Sequence, residues 1–412
     1  MTTGYIDLTA ANGGRFRGYL ALPPGGRGPG LVLAQEIFGI NEFMRRTADA
    51  FAAEGYVVLV PDLYWRLEPG IDLGYSEQEW QRAFELYQRF DVDAGVQDLL
   101  AAASALKSRP ECNGKVGCVG YCLGGKLAYL AACRGKLDVS VGYYGVGIEQ
   151  HLHEASHLHG RLVLHMAELD AYCPAPARES IVSALAGRPD CETYVYPGVD
   201  HAFARPASPH YSKTAAGMAW QRTVAALRRE LGPYHDLSAL WDKHCEHEFA
   251  TRDVDATMAT MVSQPYVNHI PTMTGGVGHD QLKRFYKYHF VDRNPPDTKL
   301  IPISRTIGAT QIVDELLFCF THTMEIDWML PGIPPTGRYV EIPLVAIVQF
   351  RGDKLCHEHI YWDQASVLVQ IGVLDPKGLP VAGIETARKL LDESLPSNTL
   401  MERWATSEGL PL

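Results

Sequence analysis

The chain has 412 residues, of which 46% are hydrophobic and 21% charged, so it is long enough for two hydrophobic cores and has the composition of an ordinary globular protein. Its formal net charge of −11 argues against nucleic acid or an anionic membrane as a partner, and no apolar run approaches the roughly 20 residues of a membrane span. The first residues lack the pattern of a secretory signal, and nine cysteines without paired spacing indicate reduced thiols, so we predict a cytoplasmic protein.

The first half of the chain alternates short apolar runs with helical patterns, which is typical of an α/β fold with a mainly parallel sheet and helices on both faces. Strands are predicted at Arg15–Leu22, Gly30–Ala34, Tyr56–Val60, Lys115–Val119, Val139–Tyr143, Arg161–His165 and Thr193–Tyr196. Helices are predicted at Glu42–Glu54, Glu79–Arg89, Asp91–Ser108, Gly124–Ala132, Ala175–Leu185 and Ser212–Leu231. In such a sheet the functional side chains lie at the carboxyl ends of the strands.

The strongest local signal is the string Gly120-Tyr121-Cys122-Leu123-Gly124, between an apolar run and a small-residue helical pattern. It matches the strand, sharp turn and helix of an α/β-hydrolase, with cysteine where serine is more common. The glycines allow strand and helix to close around a strained turn, and the N-terminus of the helix favours a thiolate. An ordinary buried thiol beside a glycine-rich turn is the alternative interpretation.

Asp170 and His201 each follow a predicted strand, in the chain order of nucleophile, acid and histidine that α/β-hydrolases have. Cys122, His201 and Asp170 therefore form a candidate catalytic triad. In such a triad His201 takes the proton of the thiol, and Asp170 fixes the tautomer of the imidazole. The alternatives are a turn or cap role for Asp170 and a satisfied surface or core position for the histidine.

Glu36 follows the second predicted strand, where its carboxylate could hydrogen-bond the resting thiol of Cys122. The backbone N–H groups of Leu123 and Ile37 are predicted to stabilise the oxyanion that forms during acyl transfer. Glu36 could instead cap the helix that begins near Asn41.

Six strings between about residues 5 and 230 carry a family resemblance. They are Ala34-Gln35-Glu36-Ile37-Phe38-Gly39, Pro61-Asp62-Leu63-Tyr64, Asn113-Gly114-Lys115-Val116-Gly117, Gly120-Tyr121-Cys122-Leu123-Gly124-Gly125, Gly142-Tyr143-Tyr144-Gly145-Val146-Gly147 and His201-Ala202-Phe203-Ala204-Arg205. This part of the chain resembles the dienelactone hydrolases, also called carboxymethylenebutenolidases. The resemblance implies a cofactor-free hydrolase that opens a small lactone or ester by thiolate attack and passes through a thioester.

The resemblance also implies roles for individual residues. It matches the nucleophile, base, acid and thiol-orienting glutamate of the family to Cys122, His201, Asp170 and Glu36. Arg205 matches an arginine that binds the carboxylate of the substrate, a task that suits a planar and always charged guanidinium.

The predicted substrate pocket departs from the family pattern on one helix. Phe38 and Tyr144 are predicted to line the pocket, and an ungapped match puts Trp80 where the family has a second carboxylate-binding arginine. Phe84 and Ala202 stand where the best-matching members resemble tyrosine and serine. We therefore expect a larger and less polar acyl pocket.

The segment Gln150–His159 carries four histidines at spacings that a metal ion could use. Thiol-dependent hydrolysis needs no ion, and the run is strongly polar, so a solvated helix or loop is the preferred interpretation. We predict neither a metal nor a cofactor.

A domain boundary is predicted at Gly232-Pro233, where a capping glycine and a breaker end a helix. Residues 1–232 then form the hydrolase domain, 233–375 a second domain, and 376–412 a tail with one short helix, Ile384–Ser394. The second domain has helices first and long strands after, which predicts an α+β fold. Its helices are predicted at His235–Val262 and His279–His289, a short element at Tyr266–His269, and strands at Lys299–Ile307, Gln311–Glu325, Val340–Arg351 and Lys354–Tyr361.

The string Arg351–Asp363, followed by Val369–Gly372, resembles the SnoaL-like polyketide cyclases and ketosteroid isomerases, which have a cone-shaped α+β fold. Strand alternation puts His357, His359, Tyr361 and Asp363 on one face. Matched to the cyclase pattern, this face lines the cone, with Asp363 as the proton-abstracting carboxylate and His269 as a possible neighbour.

Three functions stay open at this point. The leading hypothesis is a cysteine-dependent lactone or ester hydrolase with a fused cone domain, which forms a homodimer or shapes substrate access. The second is an isomerase or cyclase that uses Asp363 as base. The third is a binding protein, because cone folds also serve as non-catalytic binding or dimerisation modules.

Overall fold

The computed structural model describes residues 3–206 and 208–411. The chain folds as two compact units, Met1–Tyr234 and His235–Leu412, which divide shortly after the boundary predicted at Gly232. None of the helices in the described ranges is both long enough and apolar enough to cross a bilayer.

The first unit is built on one eight-stranded sheet. Its strands are β1 Gly4–Thr9, β2 Arg15–Ala21, β3 Gly28–Ala34, β4 Val57–Pro61, β5 Cys112–Tyr121, β6 Val139–Tyr143, β7 Arg161–Ala167 and β8 Cys191–Tyr196. The order across the sheet is β1-β2-β4-β3-β5-β6-β7-β8. The pairs of β1 with β2 and of β2 with β4 are antiparallel, and all pairs from β4 to β8 are parallel. The predicted α/β fold with a mainly parallel sheet is confirmed.

Helices cover both faces of this sheet. They are α1 Glu42–Ala53, α2 Glu77–Gln88, α3 Val92–Lys107, α4 Leu123–Arg134, α5 Ala175–Leu185 and α6 Lys213–Leu231. Helices α1 and α6 pack into one core, and α2 to α5 pack into the other. Successive strand residues point to opposite faces, so Leu31 and Leu33 enter the first of these cores while Val32 enters the second.

The edge strand β1 was not predicted from the sequence. Most of its residues alternate between exposed and partly exposed positions, and only Leu8 is buried. An edge strand of this kind has no continuous apolar run, so the pattern that located the buried strands is missing.

The second unit is a six-stranded sheet with short helices. Its strands are β9 Met261–His269, β10 Thr274–Val277, β11 Lys299–Ile307, β12 Gln311–Thr321, β13 Tyr339–Arg351 and β14 Lys354–Trp362, and its α-helices are α7 Leu237–Cys245, α8 Val254–Ala259, α9 His279–Phe285, α10 Gln364–Gln370 and α11 Glu385–Leu391. The order across the sheet is β10-β9-β14-β13-β12-β11. Only β9 and β14 pair in parallel among these neighbours.

The helix predicted over His235–Val262 is wrong in its last part and interrupted in its middle. A π-helical turn, Glu246–Ala250, follows α7, and the chain becomes strand β9 at Met261. The strand forms because β14 and β10 provide hydrogen-bond partners on its two sides. Those partners are distant in sequence from the segment or follow it, so helical periodicity alone could not reveal them.

One face of the second sheet forms the core of its unit. Every second residue of β13 from Val340 to Phe350 is buried, in the alternation expected for a sheet covered on one side. The resemblance of this unit to the SnoaL-like cone fold stays a prediction.

A buried carboxylate joins α3 to the loop after β4 and yields a stability prediction. Asp98 accepts hydrogen bonds from Trp65 Nε1 at 2.7 Å and from Arg66 Nε and Nη2 at 2.9 and 2.8 Å. We expect Asp98→Ala to lower the free energy of unfolding by about 2 kcal/mol, because both donors lose a charged acceptor. Urea denaturation measures the change.

The control is Asp93→Ala on the same helix, whose carboxylate is exposed and pairs with Arg134. Its loss should stay below about 1 kcal/mol, since exposed ion pairs contribute little. Equal losses in the two variants would contradict the account.

Candidate active site

Cys122 lies on a strained turn between β5 and α4. Its backbone has φ 56° and ψ −114°, a conformation that residues with side chains seldom adopt. A Cβ atom at Gly120 would lie 1.9 Å from the carbonyl oxygen of Gly124, and one at Gly124 would lie 2.2 Å from that of Ala34. Both neighbours must therefore be glycine, which is the physical content of the Gly-x-Cys-x-Gly pattern.

The segment after β3 is tied to this turn. The N–H of Gly124 donates to the carbonyl oxygen of Gln35 at 3.0 Å, which brings Glu36 and Ile37 to the turn that holds Cys122. Leu123 is the first residue of α4, so its N–H has no acceptor within the helix. The two N–H groups predicted to bind an oxyanion thus belong to segments that the fold holds together.

His201 lies between Asp170 and Cys122. Its Nδ1 is 2.8 Å from Asp170 Oδ2, and Cys122 is close enough to the ring to raise the pKa of the imidazole. Burial lowers the pKa of His201, but the charges of Cys122 and Asp170 and their hydrogen bonds outweigh it and raise this pKa to about 10. The arrangement brings together the three residues of the predicted triad.

Asp170 is itself held by the backbone. The carboxylate is buried, and its Oδ1 accepts from the N–H of Tyr172 at 2.8 Å. The ring of Tyr172 packs edge-on against that of His201 at 5.0 Å, which covers the imidazole on one side. The acid and the base are thus fixed in orientation by contacts outside the triad.

Glu36 and Arg205 form a buried ion pair beside the triad. Arg205 Nη1 lies 2.8 Å from Glu36 Oε2, and the two side chains are 9% and 1% exposed. The guanidinium also lies over the ring of Tyr75 at 4.1 Å and over that of Phe38 at 5.5 Å. Glu36 Oε1 has no hydrogen-bond partner among the residues that the structure describes, so one carboxylate oxygen remains available to a ligand or a thiol.

Tyr144 is a second strained residue at this site. Its φ is 37°, its N–H donates to the carbonyl oxygen of His165 at 2.7 Å, and its ring packs edge-on against His201 at 4.9 Å. Burial, together with the charge of Glu36, raises the pKa of the phenol well above its usual value. A neutral hydroxyl therefore lies buried near the triad, with no hydrogen-bond partner in the described parts of the chain.

Aromatic side chains form one wall near Arg205. Phe38 packs edge-on against Trp80 at 5.8 Å and against Tyr75 at 4.8 Å, and Asn41 Nδ2 donates to the hydroxyl of Tyr75 at 3.0 Å. Phe84 is 42% exposed and contacts Tyr87 at 6.3 Å, which is a more peripheral position than we predicted for it. The sequence analysis missed Tyr75, because it lies in a loop before α2 where no local pattern marks it.

The second unit contains a cavity of about 40 Å³ between its sheet and its helices. Of the four residues predicted for a pocket there, only His269 lines it. The prediction for Asp363 is wrong: this side chain is exposed and caps α10, where it accepts hydrogen bonds from the N–H groups of Ala365 and Ser366. A carboxylate in that position stabilises the N-terminus of the helix as an N-cap.

The placement of His357 and His359 in the pocket is also wrong, although the predicted alternation of β14 is present. Both histidines lie on the opposite face with Tyr266, at ring distances of 6.4 and 5.6 Å. Glu358 and Ile360 line the cavity instead. Alternation divides a strand into two sets, but the helices that cover one face decide which set is buried.

His269 is a neutral group in that cavity. Its Nδ1–H donates to the carbonyl oxygen of Thr274 at 3.2 Å. Burial lowers the pKa of His269 to about 4, against the opposing effect of that hydrogen bond. Its other ring nitrogen is therefore an acceptor at neutral pH.

Comparison with known proteins assigns the first unit. The model of the dienelactone hydrolase family matches residues 16–231. The chain is 40% identical over 228 residues to the carboxymethylenebutenolidase of Pseudomonas putida, a match that covers 55% of this chain and 97% of that protein. It is 38% identical over 228 residues to carboxymethylenebutenolidase 1 of Cupriavidus pinatubonensis, with coverage of 55% and 97%.

A solved dienelactone hydrolase from Anabaena variabilis is 18% identical, with a TM-score of 0.43 and coverage of 56% of this chain and 99% of that one. The family match accounts for slightly more than half of the chain and for nearly all of the first unit. The chain therefore belongs to the dienelactone hydrolase family and is a carboxylic ester hydrolase.

Proposed function

We propose that the first unit opens a small lactone or ester with Cys122 as nucleophile, His201 as proton carrier and Asp170 as the group that orients the imidazole. The observation that carries this proposal is the 2.8 Å contact between His201 Nδ1 and Asp170 Oδ2, with Cys122 close enough to raise the pKa of the same ring. A carboxylate at Nδ1 leaves the other ring nitrogen to exchange a proton with sulfur.

In the first step the thiolate of Cys122 attacks the carbonyl carbon of the substrate. The C–S bond forms, the carbonyl electron pair moves to oxygen, and the N–H groups of Leu123 and Ile37 stabilise this oxyanion. When the oxyanion collapses, the C–O bond of the ring breaks and the leaving oxygen takes the proton from His201. The acyl group remains on sulfur as a thioester.

In the second step His201 takes a proton from water, and the resulting hydroxide attacks the thioester carbon. The C–S bond breaks, which releases the carboxylic acid and restores the anionic sulfur beside the protonated imidazole. Both steps use one proton carrier in opposite directions, so no further acid or base is required.

Arg205 supplies the positive charge for a substrate carboxylate. Its guanidinium is already paired with Glu36, so a carboxylate-bearing lactone has to share or replace that partner. Trp80 packs against Phe38 and makes the pocket apolar at the position where the resemblance implies a second arginine in the family. We therefore infer that lactones and esters with one carboxylate or none are the substrates.

Two predictions from sequence concern the second unit. Its resemblance to SnoaL-like domains, and homodimer formation through it, stay predictions. Isomerase chemistry with Asp363 as base is not proposed, since that carboxylate caps a helix.

The reactivity of Cys122 gives the first prediction of the proposed mechanism. We expect iodoacetamide to alkylate Cys122 faster than Cys118 or Cys173, because burial raises the pKa of those thiols to about 12 and about 11. His201→Ala should slow alkylation of Cys122 at pH 7 by about tenfold or more, since the thiol loses its cationic neighbour. Timed labelling with peptide mass spectrometry measures both rates.

The pH profile sharpens this experiment. His201 stays protonated until the pH approaches about 10, so the wild-type rate should change little between pH 7 and pH 9. In His201→Ala the rate should rise across the ordinary thiol range near pH 8.5. The exposed His157 is the control, and His157→Ala should match the wild type. Equal profiles in wild type and His201→Ala would exclude the proposed pairing.

Turnover gives the second prediction. Cys122→Ala should lower kcat for dienelactone, neutral lactones and aryl esters by about 10³-fold or more, as removal of a nucleophile does in comparable triads. Cys191→Ala, which removes another partly exposed thiol of the same unit, should keep wild-type kcat. Wild-type turnover in Cys122→Ala would show that another group attacks the substrate.

Substrate charge gives the third prediction. Arg205→Gln should lower kcat/KM for a carboxylate-bearing dienelactone by about 30-fold or more, the loss of a charged hydrogen bond of about 2 kcal/mol. For a neutral aryl ester the loss should be much smaller. Because both substrates are measured on one variant, damage to its fold would lower both values together. A decrease of the same size for the two substrates would remove Arg205 from carboxylate recognition.

A further inference from the structure

A second cluster of ionisable side chains lies in the other unit, at the wall of its cavity. His244 Nε2 is 3.0 Å from Glu248 Oε1 and 3.3 Å from Glu358 Oε1. All three residues are at most 3% exposed. Within residues 3–206 and 208–411 this is the one group of three histidine, cysteine or acidic side chains whose ligand atoms all lie within 4.8 Å of one another.

The orientation of His244 is fixed by a hydrogen bond at Nδ1, the ring nitrogen that faces away from the two carboxylates. Its Nδ1 is 2.6 Å from the hydroxyl of Thr260, and that hydroxyl donates its own proton to the carbonyl oxygen of Thr257 at 2.6 Å. The hydroxyl can therefore only accept from His244, so Nδ1 carries a proton. The remaining nitrogen, Nε2, points at the two carboxylates, as the ligand nitrogen of a metal-binding histidine does when its other nitrogen is hydrogen-bonded.

Two π-helical turns contribute to this site. The turn Glu246–Ala250 carries Glu248 and Phe249, and the turn Tyr286–Phe290 carries Tyr286 and Phe290, and all four side chains line the cavity. Such turns are rare and occur often at functional sites, because they displace side chains from the positions that a regular helix would give them.

Polar atoms at the site lack complete hydrogen bonding. Glu358 Oε1 and the hydroxyl of Tyr286 are buried, and neither makes a well-formed hydrogen bond with any residue that the structure describes. Native proteins rarely leave such atoms unpaired, and an absent ion or water is a common reason. The cluster is therefore more than a set of acidic neighbours, because a buried carboxylate oxygen and a buried hydroxyl at the site lack well-formed hydrogen bonds.

Charge balance favours a divalent cation at this position. Two carboxylates in apolar surroundings are costly unless positive charge compensates them, and a doubly charged ion with a neutral imidazole does so completely. The spacings also fit, since ligand atoms at about 2.0 to 2.2 Å from one ion lie roughly 3 to 3.5 Å apart. The donor set of one imidazole and two carboxylates suits Zn²⁺, Mn²⁺ or Fe²⁺.

We propose that His244, Glu248 and Glu358 bind one divalent transition-metal ion whose open coordination position faces the cavity of the second unit. This inference departs from our prediction from sequence that the chain binds no metal. That prediction considered only the histidine run at Gln150–His159, whereas these ligands come from α7, the turn after it and β14.

The cavity indicates what the open position would accept. Its wall is mainly aromatic and aliphatic, and includes Trp241, Phe318 and Trp328. The polar groups of the cavity would be the metal ion and the acceptor nitrogen of His269. The site would therefore take a small molecule with an apolar body and a carbonyl or hydroxyl oxygen that binds the ion.

Metal binding by the full-length protein tests the proposal. The chain is stripped with a chelator, incubated separately with Mn²⁺, Zn²⁺ and Fe²⁺, desalted and analysed for metal content. The wild type should retain about one equivalent more of at least one ion than Glu358→Gln or Glu248→Gln. Glu246→Gln is the matched control, because this carboxylate lies on the same turn but is exposed and pairs with Lys243. It should bind as the wild type does.

X-ray absorption of the loaded wild type covers the case in which a buried variant fails to fold. The proposal requires nitrogen and oxygen donors only, at about 2.0 to 2.2 Å. No retained ion, retention that is equal in wild type and the two buried variants when circular dichroism confirms their folding, or sulfur in the coordination shell would each overturn it. The first result would mean that His244 holds a proton between the two carboxylates instead.

Discussion

The hydrogen bond between Asp170 and His201 is the interaction on which the rest of the first unit depends. An imidazole that faced a thiol without a carboxylate behind it would rotate and change tautomer, and burial alone would lower its pKa. The carboxylate at 2.8 Å fixes the ring and, with the charge of Cys122, reverses the effect of burial. The parallel sheet brings the carboxyl ends of β5, β7 and β8 together, so three residues distant in sequence meet at one edge.

The site contains strained backbone positions and a buried polar atom without a hydrogen bond. Cys122 and Tyr144 both have positive φ values, and Glu36 shares one oxygen with Arg205 while the other has no donor in the described structure. A buried ion pair of this kind adds little net stability, because desolvation of both charges offsets their attraction. It holds a positive charge in an apolar wall, and in our proposal that charge binds an anionic substrate.

Much of the first unit and of its candidate site could be predicted, because local sequence patterns indicate them. The glycines around Cys122 have no steric alternative, and Asp170 and His201 follow apolar runs that mark strand ends. Tyr75 could not be found in this way, since it reaches Arg205 from a loop without periodicity. On β14 the alternation was visible, but its buried face depends on helices elsewhere in the chain. The ligands around His244 also come from distant segments, so no single stretch of sequence contains their pattern.

The central claim, covalent catalysis by Cys122, is tested most directly by trapping the acyl-enzyme. Rapid acid quench during lactone turnover, followed by intact-mass and peptide analysis, measures the adduct and its position. Ring opening keeps the leaving group attached, so the account predicts that the protein gains the whole mass of the lactone and that the adduct lies on Cys122. An adduct on another residue, or turnover with no adduct under conditions in which deacylation is rate-limiting, would contradict it.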